Sequence, residues 1–403
     1  MKTIKTVVLA GALDTKGREY TFVKNLIEKQ GLRTLVVDFG VMGEPGIEPD
    51  VGRAEVARAG GGDIEEMRLG LRKDAAMQIM ADGLPVIVRR LFDEGQLDGI
   101  LAMGGGGGTA IAAKAMRGLP LGVPKVLVTT VGGGNVRGIV GSKDITLMQA
   151  IVDIAGINRI SGSIYTQAAG AMVGMLALET PEIENERPLI SASMFGNTTA
   201  CVDHAREILE DKGYEVLVFH ATGSGGRMME SMIEEGLIAG CLDVTTTELA
   251  DEVCGGELSA GPHRCLAASQ AGIPTVLVPG CVDMANFGAF DTVPEQYKDR
   301  NLYKWNPNGT LLRTNVAENR RIGHMIASAA NAAKGPVSIV IPLEGVSMLD
   351  STGGDFWDPE ADQACFETIK EKLKPGIPLI ELDNNINDPE FADKATEILL
   401  DML

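Results

Sequence analysis

Short apolar runs alternate with longer helix-forming segments along nearly the whole chain. In the first half the runs are "TVVLAGA" (6–12), "TLVVDFG" (34–40), "GILAMGG" (99–105) and "PKVLVTT" (124–130). Continuous apolar runs that alternate with helices are typical of a parallel sheet covered on both faces, because each parallel crossover needs a connecting helix. The alternation therefore predicts an α/β protein.

The same alternation of apolar runs and helix-forming segments begins again after a polar stretch near Pro188. The later runs are "PLISASM" (188–194), "YEVLVFH" (214–220), "IPTVLVP" (273–279) and "PVSIVIP" (336–342). A chain of 403 residues exceeds one ordinary core. We predict two Rossmann-like, doubly wound domains, 1–185 and 186–403, each with a mainly parallel sheet. Their opening segments share the order strand, polar turn, helix, glycine, strand, which indicates an internal duplication, although alternating strands and helices produce part of that likeness by themselves.

Charge and composition narrow the function classes. The net charge of −19 opposes binding to a phosphate backbone, so nucleic acid is not an expected partner. The longest weakly charged stretch, 163–179, contains Tyr165, Thr166 and Gln167, which favours a buried or dimer-interface helix over a membrane span. The six cysteines form no C-x-x-C pair, and the four histidines form no cluster, so we expect a cytoplasmic protein with reduced thiols and no structural metal.

Five consecutive glycines, Gly104 to Gly108, follow a strand-like run and precede Thr109 and a helix. Bare backbone amides at a helix N-terminus bind phosphate, and the missing Cβ atoms allow close approach. We interpret this run as a phosphate cradle. The alternative is a tight packing turn, for which one or two glycines would suffice. No Walker P-loop is present, and the first turn lacks a strict G-x-G-x-x-G fingerprint.

Other polar turns follow the neighbouring strands. Because ligands bind at the carboxyl ends of parallel strands, these turns are candidates for the same site. Lys16 would contact phosphates, and Asp14 and Thr15 would contact a hydroxyl or a metal-bound water. Asp38 would accept from the ribose hydroxyls. In the alternative, Asp14 or Thr15 caps the following helix and Asp38 caps a turn. The predicted nucleotide-binding residues beyond the glycine run and its Thr109 are Asp14, Thr15, Lys16, Gly17, Asp38, Thr129, Thr130, Gly132, Gly133, Gly134 and Asn135.

The second half offers fewer specific signals. Gly223, Gly225 and Gly226 precede Arg227 in another strand, glycine loop and helix, which predicts a second anion site, with Arg227 as a solvated residue in the alternative. We also assign Asn286 to substrate binding. His263, Arg264 and Asp283 are candidate catalytic residues on loops near strand ends. Cys281 is a weaker candidate nucleophile, because inert buried thiols are commoner.

The motifs "GALDTKG", "MGGGGGT", "TTVGGGN", "SMFGNTT" and "VPGCVDMANFG" together resemble the Tm-1-like ATP-binding family along the chain from Thr6 onward. This resemblance implies two Rossmann-like domains, a homodimer and an ATP site in the first domain that includes 14–17, 104–109 and 129–135. The plant member has a further barrel domain that is absent here, so its antiviral role is not carried over.

The expected function is therefore ATP binding, with Mg²⁺ as a possible companion because it needs few protein ligands. We hypothesise an ATP-dependent enzyme that holds a small polar or anionic substrate in an interdomain cleft. Two alternatives stay open. One is a nucleotide-sensing or partner-binding module without chemistry, and the other is an enzyme that binds a phosphorylated metabolite without ATP.

Overall fold

The computed structural model describes residues 4–70, 73–178 and 186–403. The chain divides into two compact units, Met1–Glu182 and Ile183–Leu403. The first unit contains, in chain order, β1 (Thr6–Gly11), α1 (Leu13–Glu28), β2 (Arg33–Asp38), α2 (Arg53–Ala59), α3 (Ile64–Gly70), α4 (Lys73–Asp93), β3 (Gly99–Gly104), α5 (Gly106–Arg117), β4 (Lys125–Thr129), α6 (Arg137–Val140), β5 (Thr146–Gln149) and α7 (Arg159–Ala177).

The second unit repeats the alternation with insertions. Its elements are β6 (Leu189–Met194), α8 (Thr199–Asp211), β7 (Glu215–His220), α9 (Ser224–Glu234), β8 (Gly240–Thr245), α10 (Thr247–Cys254), α11 (Leu266–Ala271), β9 (Thr275–Gly280), β10 (Met284–Phe287), β11 (Leu302–Asn306), β12 (Gly309–Arg313), α12 (Val316–Asn331), β13 (Val337–Pro342), α13 (Pro359–Lys372), β14 (Leu379–Leu382) and α14 (Pro389–Met402).

Both main sheets are parallel and share one topology. The first has the order β2-β1-β3-β4-β5, and the second has the order β14-β13-β9-β8-β6-β7. Read from its other edge, the second sheet begins β7-β6-β8-β9, which corresponds to β2-β1-β3-β4. The predicted pair of doubly wound α/β domains is confirmed. A small antiparallel sheet, β10-β12-β11, is an addition that the sequence pattern did not predict.

The strands of the first sheet are apolar throughout because helices cover both of their faces. Val8 and Ala10 of β1 pack into one core cluster, and Val7 and Leu9 pack into another. All six residues of β1 are buried. Burying a side chain such as Leu9 contributes roughly 1.5–3 kcal/mol, so the two cores fix the register of this strand.

Helix α7 covers the second of these cores. It begins with a capping box, in which the Asn158 side chain accepts from the Ser161 amide and the Ser161 hydroxyl accepts from the Asn158 amide. Its buried residues include Tyr165, Ala168 and Met172, so the stretch expected to be buried packs within the first unit. Gly170 and Gly174 lie on its exposed face. Within the described ranges, no helix is long and apolar enough to cross a membrane.

Candidate functional site

The first sheet reverses its winding direction between β1 and β3. β2 lies on one side of β1 and β3 on the other, and the β1–β3 pairing ends at Ala10 and Ala102. Beyond this point the Tyr20 hydroxyl bridges the two strands: it donates to the Ala10 carbonyl of β1 at 2.6 Å and accepts from the Met103 amide of β3 at 2.7 Å. Crevices at such switch points are where open α/β sheets bind ligands.

A cavity of about 290 Å³ opens at this point. Two predicted segments meet in it, since Asp14 to Lys16 after β1 and Gly104 to Gly108 after β3 both line it. The rest of its wall was not predicted and consists largely of apolar side chains: Phe39, Val41, Met77, Met80, Met103 and Ile111. The only available signal for this wall was the three-residue spacing of Met77 and Met80, which places both on one face of α4.

The glycine run has no full explanation in packing. A Cβ at Gly104 would lie 3.0 Å from the backbone of Gly108, and one at Gly107 would lie 2.5 Å from the Met77 methyl carbon. By contrast, a Cβ at Gly106 or Gly108 would meet nothing within 4 Å. Since glycine lowers helix stability by roughly 1 kcal/mol relative to alanine, Gly106 and Gly108 cost stability for which the protein's own packing gives no return.

The same residues form the N-terminus of α5. Gly105 is the N-cap residue. Among the residues that the structure describes, no side chain caps this helix, and its first turn contains no acidic residue. The first amide that bonds within the helix belongs to Thr109, which donates to the Gly105 carbonyl at 2.8 Å. Gly105 to Gly108, which precede it, line the cavity, and in the described part of the chain no carboxylate caps this turn. An uncapped helix N-terminus of this kind binds phosphate.

Two ionisable side chains, Asp14 and Lys16, line this cavity. Asp14 accepts through Oδ2 from the Met42 amide at 2.8 Å and the Gly43 amide at 3.2 Å, while its Oδ1 is buried without a hydrogen-bond partner. Lys16 donates its ammonium to the Ile154 carbonyl at 2.7 Å. The site thus has one cation and one carboxylate oxygen free to accept a bond, from a hydroxyl or from water on a divalent cation.

Several residues that the sequence assigned to the nucleotide are occupied elsewhere. The Thr109 and Thr129 hydroxyls bond to each other at 2.7 Å, and both residues are buried. Asp38 accepts through Oδ1 from the amides of Leu13 at 3.0 Å and Gly40 at 2.8 Å, so it caps the turns after β1 and β2. Burial raises the pKa of Asp38 and the neighbouring Asp14 raises it further. Neither threonine nor Asp38 lines the cavity.

The remaining predicted residues of the first unit do not belong to the lining of the cavity. A Cβ at Gly17 would lie 2.6 Å from the Cα of Gly46, so this glycine serves chain packing. Thr130 lies near the cavity rim, where its hydroxyl would be 3.8 Å from a Cβ at Gly105. Gly132, Gly133, Gly134 and Asn135 form the loop after β4 outside the cavity lining, and all but Gly132 are exposed.

In the second unit, the predicted anion loop already holds an anion from the protein itself. Glu248 accepts through Oε1 from the amides of Gly223 at 2.6 Å and Gly226 at 3.1 Å. Cβ atoms at Gly225 and Gly226 would clash with the His220 carbonyl at 1.9 Å and with Glu248 Oε2 at 2.1 Å. These glycines are therefore required by packing. Arg227 donates to the Ser259 carbonyl at 2.9 Å.

Arg264 belongs to this internal network and not to an open catalytic site. Its Nε donates to Glu248 Oε2 at 2.5 Å, and its two terminal nitrogens donate to the Asp243 carboxylate at 2.5 and 2.7 Å. The side chain is completely buried. His263, its neighbour in sequence, is exposed. The structure therefore separates two residues that the sequence grouped as one catalytic pair.

Asp283, the third candidate catalytic residue, is buried in a different cluster. It accepts from the Ser347 hydroxyl at 2.8 Å, and its Oδ1 has no hydrogen-bond partner. Burial and the nearby Asp350 raise the pKa of Asp283 above its usual range, while Arg313 lowers it. Asp283, Ser347, Asp350 and Arg313 all lie outside the lining of the cavity in the first unit.

Asn286 lines a separate cavity of about 300 Å³ in the second unit. Its side-chain amide donates to Asp251 at 2.7 Å, which fixes its orientation.

All six cysteines are free and buried, and burial raises the pKa of Cys281 well above its usual value. Across the described residues, no group of three or more His, Cys, Asp or Glu side chains could hold a metal ion.

The fold and these sites define a protein with two doubly wound α/β domains and, in the first, an uncapped glycine-rich helix N-terminus at the switch point of the sheet. The chain belongs to the Uncharacterised protein family (UPF0261): residues 5–181 match its N-terminal domain and residues 187–403 match its C-terminal domain.

Relatives of known sequence support the assignment. A UPF0261 protein from Clostridium tetani is 49% identical over 400 residues, covering 99% of each chain. The ToMV resistance protein Tm-1 of Solanum lycopersicum is 39% identical over 334 residues, which cover 81% of this chain and 44% of the tomato protein. The predicted Tm-1-like membership is confirmed. A UDP-N-acetylglucosamine 2-epimerase from Rickettsia bellii aligns over 99% of this chain and 96% of its own at 10% identity, but its TM-score of 0.25 supports no conclusion.

Proposed function

We propose that the first unit binds ATP, or a close nucleotide relative, with its phosphates on the N-terminus of α5. The observation that carries the proposal is the pair Gly106 and Gly108, which line the cavity although a Cβ at either would meet nothing within 4 Å. A ligand that approaches the backbone closely gives these glycines a purpose, and the uncapped first turn supplies the donors that phosphate requires.

The other lining residues suit the remaining parts of a nucleotide. Of the apolar lining residues, Val41 and Met77 are partly exposed and offer a surface for a base, whereas Phe39 and Met80 are buried. Lys16 supplies a positive charge for the phosphates. The free Oδ1 of Asp14 would accept from water on Mg²⁺, so that the metal separates this carboxylate from the phosphates.

Chemistry on the bound nucleotide is a further step of the proposal. An ATP-dependent enzyme acting on a small polar or anionic substrate remains our first hypothesis. One observation favours the alternative of a binding module without chemistry: among the described residues that line the cavity, Asp14 and Lys16 are the only ionisable ones. That set holds a charged ligand but offers little for acid–base catalysis.

Calorimetric titration with ATP, with and without Mg²⁺, tests the binding step. NAD and a sugar phosphate serve as controls. Selective micromolar binding of ATP supports the proposal, and a steady-state hydrolysis assay with candidate acceptors then separates an enzyme from a sensor. Binding of the sugar phosphate in place of ATP would favour an enzyme of phosphorylated metabolites, and binding of neither would return the glycine run to the role of a packing turn.

We also propose a cytoplasmic homodimer. The exposed face of α7 carries Gly170, Gly174 and Met175, and small residues at this spacing allow two helices to approach closely. Sedimentation equilibrium measures the mass in solution: 42.6 kDa per chain predicts about twice that value for the dimer.

A further inference from the structure

The second unit has its own switch point, between β6 and β8, with β7 on the other side of β6. The cavity of about 300 Å³ lies beside it, lined by Phe195 and Gly196 after β6 and by His220 at the end of β7. The small antiparallel sheet supplies the rest of the wall, including Asn286 of β10 and Thr310 of β12. The sequence singled out Asn286 alone from this group.

The lining is aromatic and nearly free of charge. Phe195 and His220 have ring centroids 5.4 Å apart, and Phe287 and Trp305 also contribute to the wall. Among the described lining residues none is lysine or arginine, and the one carboxylate, Glu257, accepts from the Gly288 amide at 3.0 Å. A phosphate would find no cation here, whereas an uncharged ring would gain stacking and apolar contact.

Thr310 is the polar group that marks this cavity as a ligand site. Its residue is 0% exposed, it lines the cavity, and its hydroxyl oxygen is buried without a hydrogen-bond partner. An unpartnered buried hydroxyl costs stability, so a position that retains one next to a cavity points to a partner that arrives with the ligand. The neutral side chains of Asn306 and Asn308 add donors and acceptors at the same wall.

We propose that this cavity binds an uncharged, planar heterocycle of the nucleobase type, as a free nucleoside, stacked on the aromatic wall and hydrogen-bonded to Thr310. Aromatic side chains with a few neutral donors and acceptors are how proteins hold an unstacked base. The inference concerns the second unit only and does not depend on ATP binding in the first.

Trp305 provides a local reporter, since it lines the cavity and the chain has only one other tryptophan, Trp357. In the full-length Trp357→Phe protein, a nucleoside that stacks in the cavity should change the Trp305 emission with saturation. Adenosine, guanosine, cytidine and uridine are titrated separately, with N-acetylglucosamine as a non-planar ring of comparable polarity. We expect saturable binding of at least one nucleoside and none of the sugar.

Thr310→Val removes the hydroxyl and preserves the shape of the side chain, so it should weaken nucleoside binding about tenfold without unfolding the protein. Thr396→Val is the matched control, because Thr396 is also fully buried with an unpartnered hydroxyl but does not line this cavity. Trp305→Ala, followed by calorimetry, should reduce affinity as well.

The outcomes are distinct from those of the ATP experiment. Gly106→Val should leave the response of Trp305 to nucleosides unchanged, whether or not it lowers the affinity of the first unit for ATP. The proposal is overturned if no nucleoside gives a saturable response, if the sugar binds as well as the nucleosides, or if Thr396→Val weakens binding as much as Thr310→Val does.

Discussion

Glu248 places its carboxylate on the amide of Gly223 at 2.6 Å, where the anion of a ligand would bind a glycine loop. The anion site of the loop before α9 is therefore occupied by the Glu248 side chain. Arg264 neutralises this carboxylate by donating from Nε to Oε2 at 2.5 Å. The loop before α5 in the first unit is also rich in glycine, but among the described residues no side chain caps its helix. Two similar sequence patterns thus have opposite consequences: one loop binds internally, and the other leaves its donors available.

Gly106→Val should abolish most ATP binding. A Cβ at Gly106 meets nothing within 4 Å outside its own turn, so the fold should persist while the phosphates lose close contact with the backbone. Charge-assisted hydrogen bonds contribute about 1.5–3 kcal/mol each, which predicts a loss of roughly 100-fold in calorimetric affinity. Gly52→Val is the control, because a Cβ there also meets nothing within 4 Å and Gly52 lies outside the cavity lining. Equal affinities for the two variants would remove the phosphate cradle.

Asp14→Asn tests the role assigned to the free carboxylate oxygen. The amide oxygen of Asn can still accept from Met42 and Gly43, so the turn should be preserved. Loss of the negative charge should strengthen binding of metal-free ATP and reduce the gain in affinity that Mg²⁺ provides. Titrations at matched ionic strength measure both. An unchanged Mg²⁺ dependence would exclude Asp14 from the metal site.

Glu248→Gln should destabilise the second unit strongly. The substitution leaves the guanidinium of Arg264, which is completely buried, with Asp243 as its remaining carboxylate partner. Removing one partner of a buried ion pair costs about 3–5 kcal/mol. Urea denaturation measures the change. Asp93→Asn, which breaks the exposed pair with Arg89, should alter stability by less than about 1 kcal/mol, and a comparably small effect at Glu248 would contradict the account of the network.

Glu230→Gln should flatten the pH dependence of stability between about pH 4.5 and pH 7. Burial raises the pKa of Glu230 to about 7, although Arg264 lowers it, so the folded protein keeps a proton that the unfolded chain releases near the ordinary glutamate pKa of 4.5. The unfolded state then binds fewer protons in this window, and the free energy of unfolding falls as pH rises.

The raised pKa of Glu230 corresponds to a fall of about 3 kcal/mol in the free energy of unfolding across that pH window. Chemical denaturation at a series of pH values should show a fall that is smaller by up to this amount in Glu230→Gln, which can still accept from the Cys265 amide. Asp251, whose pKa burial also raises to about 7, should retain its own contribution in the variant. A parallel pH profile for variant and parent would show that Glu230 is ionised in both states.

Thiol labelling should be slow in the folded protein. All six cysteines are buried, and burial raises the pKa of Cys201 to about 12, so the reactive thiolate is scarce and inaccessible. Ellman's reagent should react with none of them rapidly under native conditions and with six after denaturation. A rapidly reacting Cys281 in the native protein would revive its candidacy as a nucleophile.

The segments that form the first cavity could be predicted because their neighbourhood follows from topology. Asp14 and Gly104 are 90 residues apart in sequence, but both follow strands of one parallel sheet, and the carboxyl ends of such strands share an edge. The apolar wall from α4 was missed because a helical face reveals that it is buried without revealing what it covers. Whether a nucleotide occupies the cavity stays a prediction.

Other assignments depended on partners that no sequence pattern identifies. Thr109 looked like a ligand hydroxyl, but Thr129 binds it. Arg264 looked catalytic beside His263, but adjacent residues in a loop point to different environments, and Arg264 is held by Asp243 and Glu248. In each case a distant side chain satisfied a polar group first, because a buried polar group without a partner costs stability.

The sequence by itself determined the parallel α/β architecture, since alternating apolar runs and helices can bury their backbone and side chains in few other ways. It also determined that a run of five glycines begins at the last residue of β3. Only the tertiary structure decided which glycine loop is open. A loop amide is available to a ligand only where no side chain from elsewhere in the chain already accepts its hydrogen bond. Glu248 reaches Gly223 and Gly226, whereas no carboxylate reaches the first turn of α5 within the described part of the chain.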